Sequence, residues 1–228
     1  YEGSEDEHGI LAMSVAEIEP LVMDIHQAGF QVCIHANGDA TIELVLDAYE
    51  KAQAAFPRED TRHRIEHCTV VNPNILRRMK ALGCVATPFC TYVFHHGEKM
   101  QFYGERRLQW MFAQRSFLDY GIIATGATDS PPGPYEPLMG IQSCVTRTDS
   151  DGKLWGADQK ITVEEALRIY TMHSAYAGFE EDIKGSIQVG KLADLVVLGA
   201  DPTAIDPFGI KDIPVERTVV GGKTVYEG

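Results

Sequence analysis

Apolar and polar positions along this chain switch between a helical and a strand period, and the switch points predict its elements. Ser14 precedes Val15-Ala16-Glu17, with Glu17 at capping-box spacing, and Ile18, Leu21, Val22 and Ile25 form one helical stripe that Gly29 stops. The apolar run Phe30 to Ile34 reads as a strand that delivers His35 at its end. Gly38-Asp39 then supplies a turn and an N-cap, and Ile42, Leu44, Val45, Leu46, Ala48 and Tyr49 carry a helix to about Phe56. Asp39 is therefore read as a cap rather than a ligand.

The same order repeats. A strand from Arg64 to His67 is followed by Asn72-Pro73, where proline suits a first helical turn, and by a helix through Leu76, Met79 and Leu82 that ends at Gly83. A strand from Cys84 to Thr87 leads into a long aromatic loop, Pro88 to about Gly104, holding His95 and His96. One helix is expected from Glu105 to Tyr120, ended by Gly121, and a fourth strand from Ile122 to Gly126, leading to Asp129. Ser130-Pro131-Pro132-Gly133-Pro134 reads as a rigid loop, and residues 162–177 as a further helix with Thr162 as cap and Glu165 at the box position. From Gly185 the composition changes to short apolar runs around a Pro- and Asp-rich region. Gly221-Gly222 there marks a two-residue hairpin.

Strands and helices alternating at this length imply βα units on a parallel sheet. Four units are legible where a closed (β/α)8 barrel needs eight, so the expected fold is α/β: the C-terminal half of such a barrel over residues 1–184, with part of a small β-sandwich over 185–228. Half a barrel exposes two strand edges, which predicts a homodimer through those edges or an open sheet covered by its own neighbours.

Composition narrows the class. A formal charge of −13 over 228 residues argues against a nucleic-acid surface. No apolar run approaches the roughly 20 residues of a membrane span. Five cysteines without a CxxC pair suggest reduced thiols packed in the interior, and the chain is expected to be cytoplasmic. Its first residue is Tyr1, with no basic-then-apolar leader, and it is read as a piece of something longer.

The candidate chemistry sits at strand ends. His35, His67 and Asp129 each follow an apolar run, and two imidazoles and a carboxylate are ligands that a zinc-type ion accepts at the face of a barrel where chemistry is placed. Cys68 is read as a small buried neighbour of that site. Glu66 should alternate away from His67 and pair with Arg62 or Arg115 beneath the helices. Asn37 and Tyr92 are pocket candidates, His173 a packing or surface histidine, and His26 and His63 carry no claim.

Taken together, His35-Ala36-Asn37-Gly38-Asp39, Arg64-Ile65-Glu66-His67, Glu105-Arg106 with Arg115-Ser116, Gly126-Ala127-Thr128-Asp129-Ser130-Pro131 and Gly185 to Leu195 resemble, in order and spacing, the C-terminal part of the amidohydrolase superfamily. The likeness is to its amidohydrolase-3 group, which includes YtcJ-like and AepA-like proteins, and it runs from about residue 14 to the end. It implies one or two divalent metals, most simply zinc, and hydrolysis of an amide or related C–N bond in a small-molecule substrate. His35 and His67 would be metal ligands, and Asp129 a ligand and the catalytic proton carrier. The group's substrate-touching Pro-x-His after the preceding strand has Cys90 in its place here; His95 and His96 in the same loop are substrate-binding candidates, with a plain exposed loop as the alternative, and Asn37 is a third. The His-x-His pair and bridging lysine of the pattern have no counterpart in this chain, so the isolated piece is expected to bind metal weakly and not to turn over. The alternative is a non-catalytic regulatory or ligand-binding domain on the same scaffold.

Overall fold

The computed structural model describes residues 4, 6, 7, 9–131 and 133–228; Pro132 of the expected rigid loop lies outside them. The first helix, α1 (Val15–Gln27), begins as the capping pattern requires: the Ser14 N–H and hydroxyl donate to the Glu17 carboxylate at 2.8 and 2.7 Å. Three short strands follow, β1 (Cys33–Ala36), β2 (Arg64–His67) and β3 (Val85–Thr87), separated by α2 (Asp39–Ala55) and α3 (Pro73–Leu82). They pair in parallel in chain order. Gly38 rather than Asp39 is the N-cap of α2; Pro73 opens α3 as expected, and Asn72 ahead of it caps the helix, accepting from the Asn74 and Ile75 amides at 2.9 and 3.0 Å. The core lies between sheet and helices, where Ile65 and Ala86 meet Ile42, Val45, Leu46 and Tyr49 of α2 and Ile75, Leu76 and Met79 of α3.

The fourth strand forms no continuous ladder. Ala124 bridges to Ala86 and Ala127 to Phe89, both in parallel sense, so the segment after Gly121 extends the sheet through isolated bridges. The expectation of two open edges is corrected here. The far side of this segment is closed by a helical run: the Gly126 amide donates to Ile169 O at 3.2 Å, and His173 Nδ1 donates to Ala124 O at 3.0 Å. That run comprises α-helical Val163–Arg168, a π turn over Ile169–His173 and α-helical Ser174–Ala177, and it starts on the predicted Thr162–Glu165 box. On the β1 side an apolar cleft of about 650 Å³ remains, between Leu21 and Ile25 of α1 and Cys33 and Ile34 of the strand.

The single helix expected from Glu105 to Tyr120 is two. Numbering continues with α4 (Tyr92–His96), inside the predicted loop, then α5 (Glu105–Leu108) and α6 (Gln114–Asp119). Between the last two, the chain is pulled against the segment after β2. Phe112, with φ +46°, donates its N–H to Thr69 O at 2.9 Å, and Val71 donates to Trp110 O at 3.1 Å. The break is locked by Arg147, at the end of an unforeseen helix α7 (Pro137–Thr146). Its fully buried guanidinium donates to the carbonyls of Met111, Phe112 and Trp155, each at 3.0 Å.

Two histidines without a functional claim form a buried lock. His26 of α1 and His63, just ahead of β2, are joined Nδ1 to Nε2 at 2.9 Å. The Val32 amide donates to His63 Nδ1 at 3.0 Å, so His63 carries its proton on Nε2 and gives it to His26. His26 in turn donates Nε2–H to Phe56 O at 2.7 Å. Each ring nitrogen in the chain then has one role, and both rings are neutral.

The remaining strands, β4 (Leu195–Leu198), β5 (Val215–Val220) and β6 (Lys223–Glu227), form an antiparallel sheet. The β5–β6 turn is the predicted two-residue hairpin, with Gly221 and Gly222 both at positive φ, as a primed turn demands. Ile210 and Ile213, between β4 and β5, are buried with Ile141 and Cys144 of α7, which ties this region to the helices.

Candidate metal centre

Strand register decides which side chains meet. In the parallel ladder His35 lies opposite Glu66, and Glu66 opposite Thr87, so these three form a row on the face away from the helices. His67 is the next residue and by alternation would point the other way. Its backbone leaves the strand at φ +67°, and Cys68 follows at φ +44°. This left-handed turn costs of order 1–3 kcal/mol for a side chain other than glycine and brings the His67 ring round to the face of His35. Asp129 adopts φ +54° at the end of the fourth segment. Both candidate ligands thus sit on backbone that only the surrounding structure holds in place.

The outcome is a cleft of about 320 Å³ lined by His35, Glu66, His67, Thr87, Phe89, Ala127 and Asp129. The His35 and His67 rings lie 4.3 Å apart between centroids, near edge-to-face, and His67 Nε2 stands 3.9 Å from Asp129 Oδ1. Burial, seconded by the neighbouring His35, holds the His67 imidazole below its ordinary range against the pull of Asp129. It is therefore neutral near pH 7, with a lone pair to offer.

Glu66 corrects the sequence reading. It pairs with neither Arg62 nor Arg115 but with Arg64, two residues back on the same face, at 2.7 Å, and it lines the cleft. Arg62 instead bridges Asp60 and Glu181, and Arg115 pairs with Glu165. Parallel register would have predicted the row His35–Glu66–Thr87, because it places equal offsets of neighbouring strands side by side. Asn37 does not line the cleft; its side chain binds His35 Nε2 at 2.9 Å and accepts the Thr69 hydroxyl at 2.6 Å. His95 and His96 lie on α4 outside the lining; Phe89 of the lining packs on Tyr92, with ring centroids 5.6 Å apart, and Tyr92 packs on His96 at 5.2 Å. Cys68 is buried against Met79, and burial pushes its thiol well up, in keeping with an inert neighbour. Cys90 is buried beside Gln114 and is not part of the lining, although its amide donates to the carbonyl of Ala127, which is. Four cysteines are buried, as expected, but Cys33 is exposed on the open face of β1.

By type and place the residues fit a divalent cation. Two imidazoles and a carboxylate share one cleft, and Thr87 Oγ1 lies there buried without a hydrogen-bond partner. Among the described residues, no group of three or more His, Cys, Asp or Glu is drawn together closely enough to hold a metal as it stands.

The sequence pattern of the Amidohydrolase family, Amidohydro_3, matches residues 5–226. The chain belongs to this family. It is 30% identical to YtcJ of Bacillus subtilis (strain 168) over 237 residues, covering all of this chain and 43% of that one. It is 33% identical to the N-substituted formamide deformylase of Arthrobacter pascens over 231 residues, covering 42% of that protein. Among solved structures, an uncharacterized metal-dependent hydrolase from Pyrococcus horikoshii OT3 superposes with a TM-score of 0.76 at 25% identity, over 89% of this chain and 41% of the other. A metal-dependent hydrolase from Pyrococcus furiosus gives 0.71 at 26% identity. This amidohydrolase-family chain thus has a mixed α/β hydrolase fold and spans less than half the length of these relatives. No helix among its described residues is long and apolar enough to cross a membrane.

Proposed function

We propose that this chain is the C-terminal portion of a metal-dependent amidohydrolase that cleaves an amide or related C–N bond in a small molecule. The observation that carries the reading is the convergence of His35, His67 and Asp129 from three separate strand ends on one cleft. The parallel order β1–β2–β3, continued by the bridges at Ala124 and Ala127, supports four consecutive units of a (β/α)8 barrel over residues 1–184. The antiparallel sheet beyond Gly185 supports a partial sandwich over 185–228.

His35, His67 and Asp129 would hold the ion, with zinc the simplest choice for this donor set. When bound, such an ion lowers the pKa of a water toward neutrality and polarises a carbonyl. The chain's own residues do the rest. His67 stays neutral through burial, Asp129 is placed to accept a proton and return it to the leaving nitrogen, and Phe89 gives the cleft an apolar side. His95 and His96 meet a substrate only if it extends past Phe89 and Tyr92. Three ligands on half a scaffold make a weak site, so the isolated chain is expected to bind without turnover. Calorimetric titration with zinc should show weak binding that His67→Ala and Asp129→Asn abolish. Absence of heat at millimolar zinc would remove the metal reading and leave the non-catalytic ligand-binding domain.

The small-molecule reading leaves the β1 edge unaccounted for. We propose that a second copy of this chain covers it, burying the apolar cleft beside Leu21, Ile25 and Ile34. Sedimentation velocity should reveal a dimer whose population rises with concentration and which an Ile34→Lys change disperses; a monomer at every concentration rules the pairing out.

A further inference from the structure

Asp129 holds a left-handed backbone, at φ +54°, that its surroundings have to impose. The segment leading to it is fixed first, since the Cys90 amide donates to Ala127 O at 2.9 Å. Beyond it the chain turns back, and the Gly133 amide donates to Asp129 O, also at 2.9 Å. Asp129 is thus gripped by one bond two residues before it and by another at its own carbonyl.

The residue that makes the second bond has a particular place. Pro131 and Pro134 are exposed, whereas Gly133 between them is buried. A β-carbon built on Gly133 would stand 2.2 Å from Thr128 O, far inside contact distance, and 3.0 Å from Phe89 Cζ. The Phe89 ring lines the cleft and could tilt away, but the Thr128 carbonyl belongs to the peptide that carries the Asp129 nitrogen. Any side chain at position 133 therefore has to push the backbone from which the carboxylate hangs. Glycine is needed here because two stretches of backbone approach too closely for a side chain to fit.

We propose that Gly133 is a positioning residue for Asp129: its amide holds the Asp129 carbonyl, and its missing side chain leaves room for the Thr128–Asp129 peptide. The carboxylate is thereby kept in the cleft, with Oδ1 3.9 Å from His67 Nε2. This inference rests on the metal reading above, in which Asp129 has to be in place when a cation arrives. Losing a partner that orients a metal ligand costs about 10- to 100-fold in metal affinity.

The test uses the full chain and zinc sulfate, with calorimetry and carbon-13 spectra of the aspartate carboxyls. Gly133→Ala should weaken zinc binding about 10- to 100-fold. In the metal-free protein it should also shift the Asp129 carboxyl resonance, which general loosening of the fold would not single out. Pro134→Ala, the next residue along, should change neither. The native chain supplies a measurement that needs no substitution. Hydrogen exchange at its Gly133 amide should be slow, and zinc should slow it further, because the bond and the cation favour the same placement of Asp129. A folded Gly133→Ala with native zinc affinity overturns the proposal, and so does weakened binding with the Asp129 resonance unmoved. A Gly133 amide that exchanges at the unprotected rate, or that bound zinc does not slow, overturns it as well, whether or not the variant folds. If the native chain takes up no zinc, the metal reading falls alone, and the resonance and the metal-free exchange rate still decide the role of Gly133.

Discussion

Replacing Arg147 by methionine is expected to cost roughly 3 kcal/mol of stability, because it strands three buried carbonyls at about 1 kcal/mol each. The residue ends α7 at φ +57°, and its guanidinium bonds the carbonyls of Met111, Phe112 and Trp155 with no carboxylate among its bonded partners. Burial holds its pKa down to about 10, so near neutral pH the side chain is a charge enclosed by peptide dipoles. Removing that charge recovers some desolvation energy, which is why the loss is set near 3 kcal/mol and not higher. For a chain of this size the loss lowers the melting temperature by about 6–12 °C. Arg147→Lys should recover little, since one ammonium cannot match a fork spread over three carbonyls. Urea unfolding followed by circular dichroism checks both variants. An Arg147→Met midpoint within error of the native one would show that the break between α5 and α6 holds without this clamp.

The second large effect is a loss of stability on mild acidification, centred on the lock between His26 and His63. His63 faces His26 from α1, Tyr49 from α2, with ring centroids 4.9 Å apart, and Arg58 from the loop between α2 and β2. Burial first, then His26 and Arg58, pull its pKa from 6.5 down to about 4. The sign follows from linkage. The folded state favours the neutral ring, so the unfolded chain binds the proton more readily; stability is complete above pH 6.5, declines as pH falls, and is lost by about pH 4. The geometry agrees, since a proton added at His63 Nδ1 would face the Val32 N–H. With screening by water allowed for, the loss is about 2 kcal/mol. His67, His95 and His173 are also held low by burial and contribute in the same range, so the difference between native chain and His63→Gln isolates the lock. Unfolding midpoints between pH 7.5 and 4.5 should converge for the two proteins as pH drops. Parallel curves would exclude the lock.

Much of the chain was legible before any coordinates. The capping boxes at Ser14 and Thr162, the helix start at Pro73 and the Gly221-Gly222 hairpin depend on bonds among near neighbours, which are written next to one another, and the three parallel strands showed as apolar runs alternating with helical stripes. The amidohydrolase family was legible for a related reason: its motifs are short strings at strand ends. Where the reading failed, a distant residue had decided the local structure. Residues 105–120 carry a helical pattern, yet bonds from Thr69 and Arg147 open it in the middle. The fourth strand has a good strand sequence, but its far edge is taken by the Ile169–His173 turn.

At the site the division is the same. Sequence by itself singled out His35, His67 and Asp129 as candidates, because each follows an apolar run that has to be buried. Tertiary structure alone decided how they face: the left-handed backbone at His67 and Asp129, the register that adds Glu66 and Thr87, and the grip of Asn37 on His35. Side-chain direction at a strand end depends on what pairs and packs from remote parts of the chain, and that energy has no local signature in the order of residues.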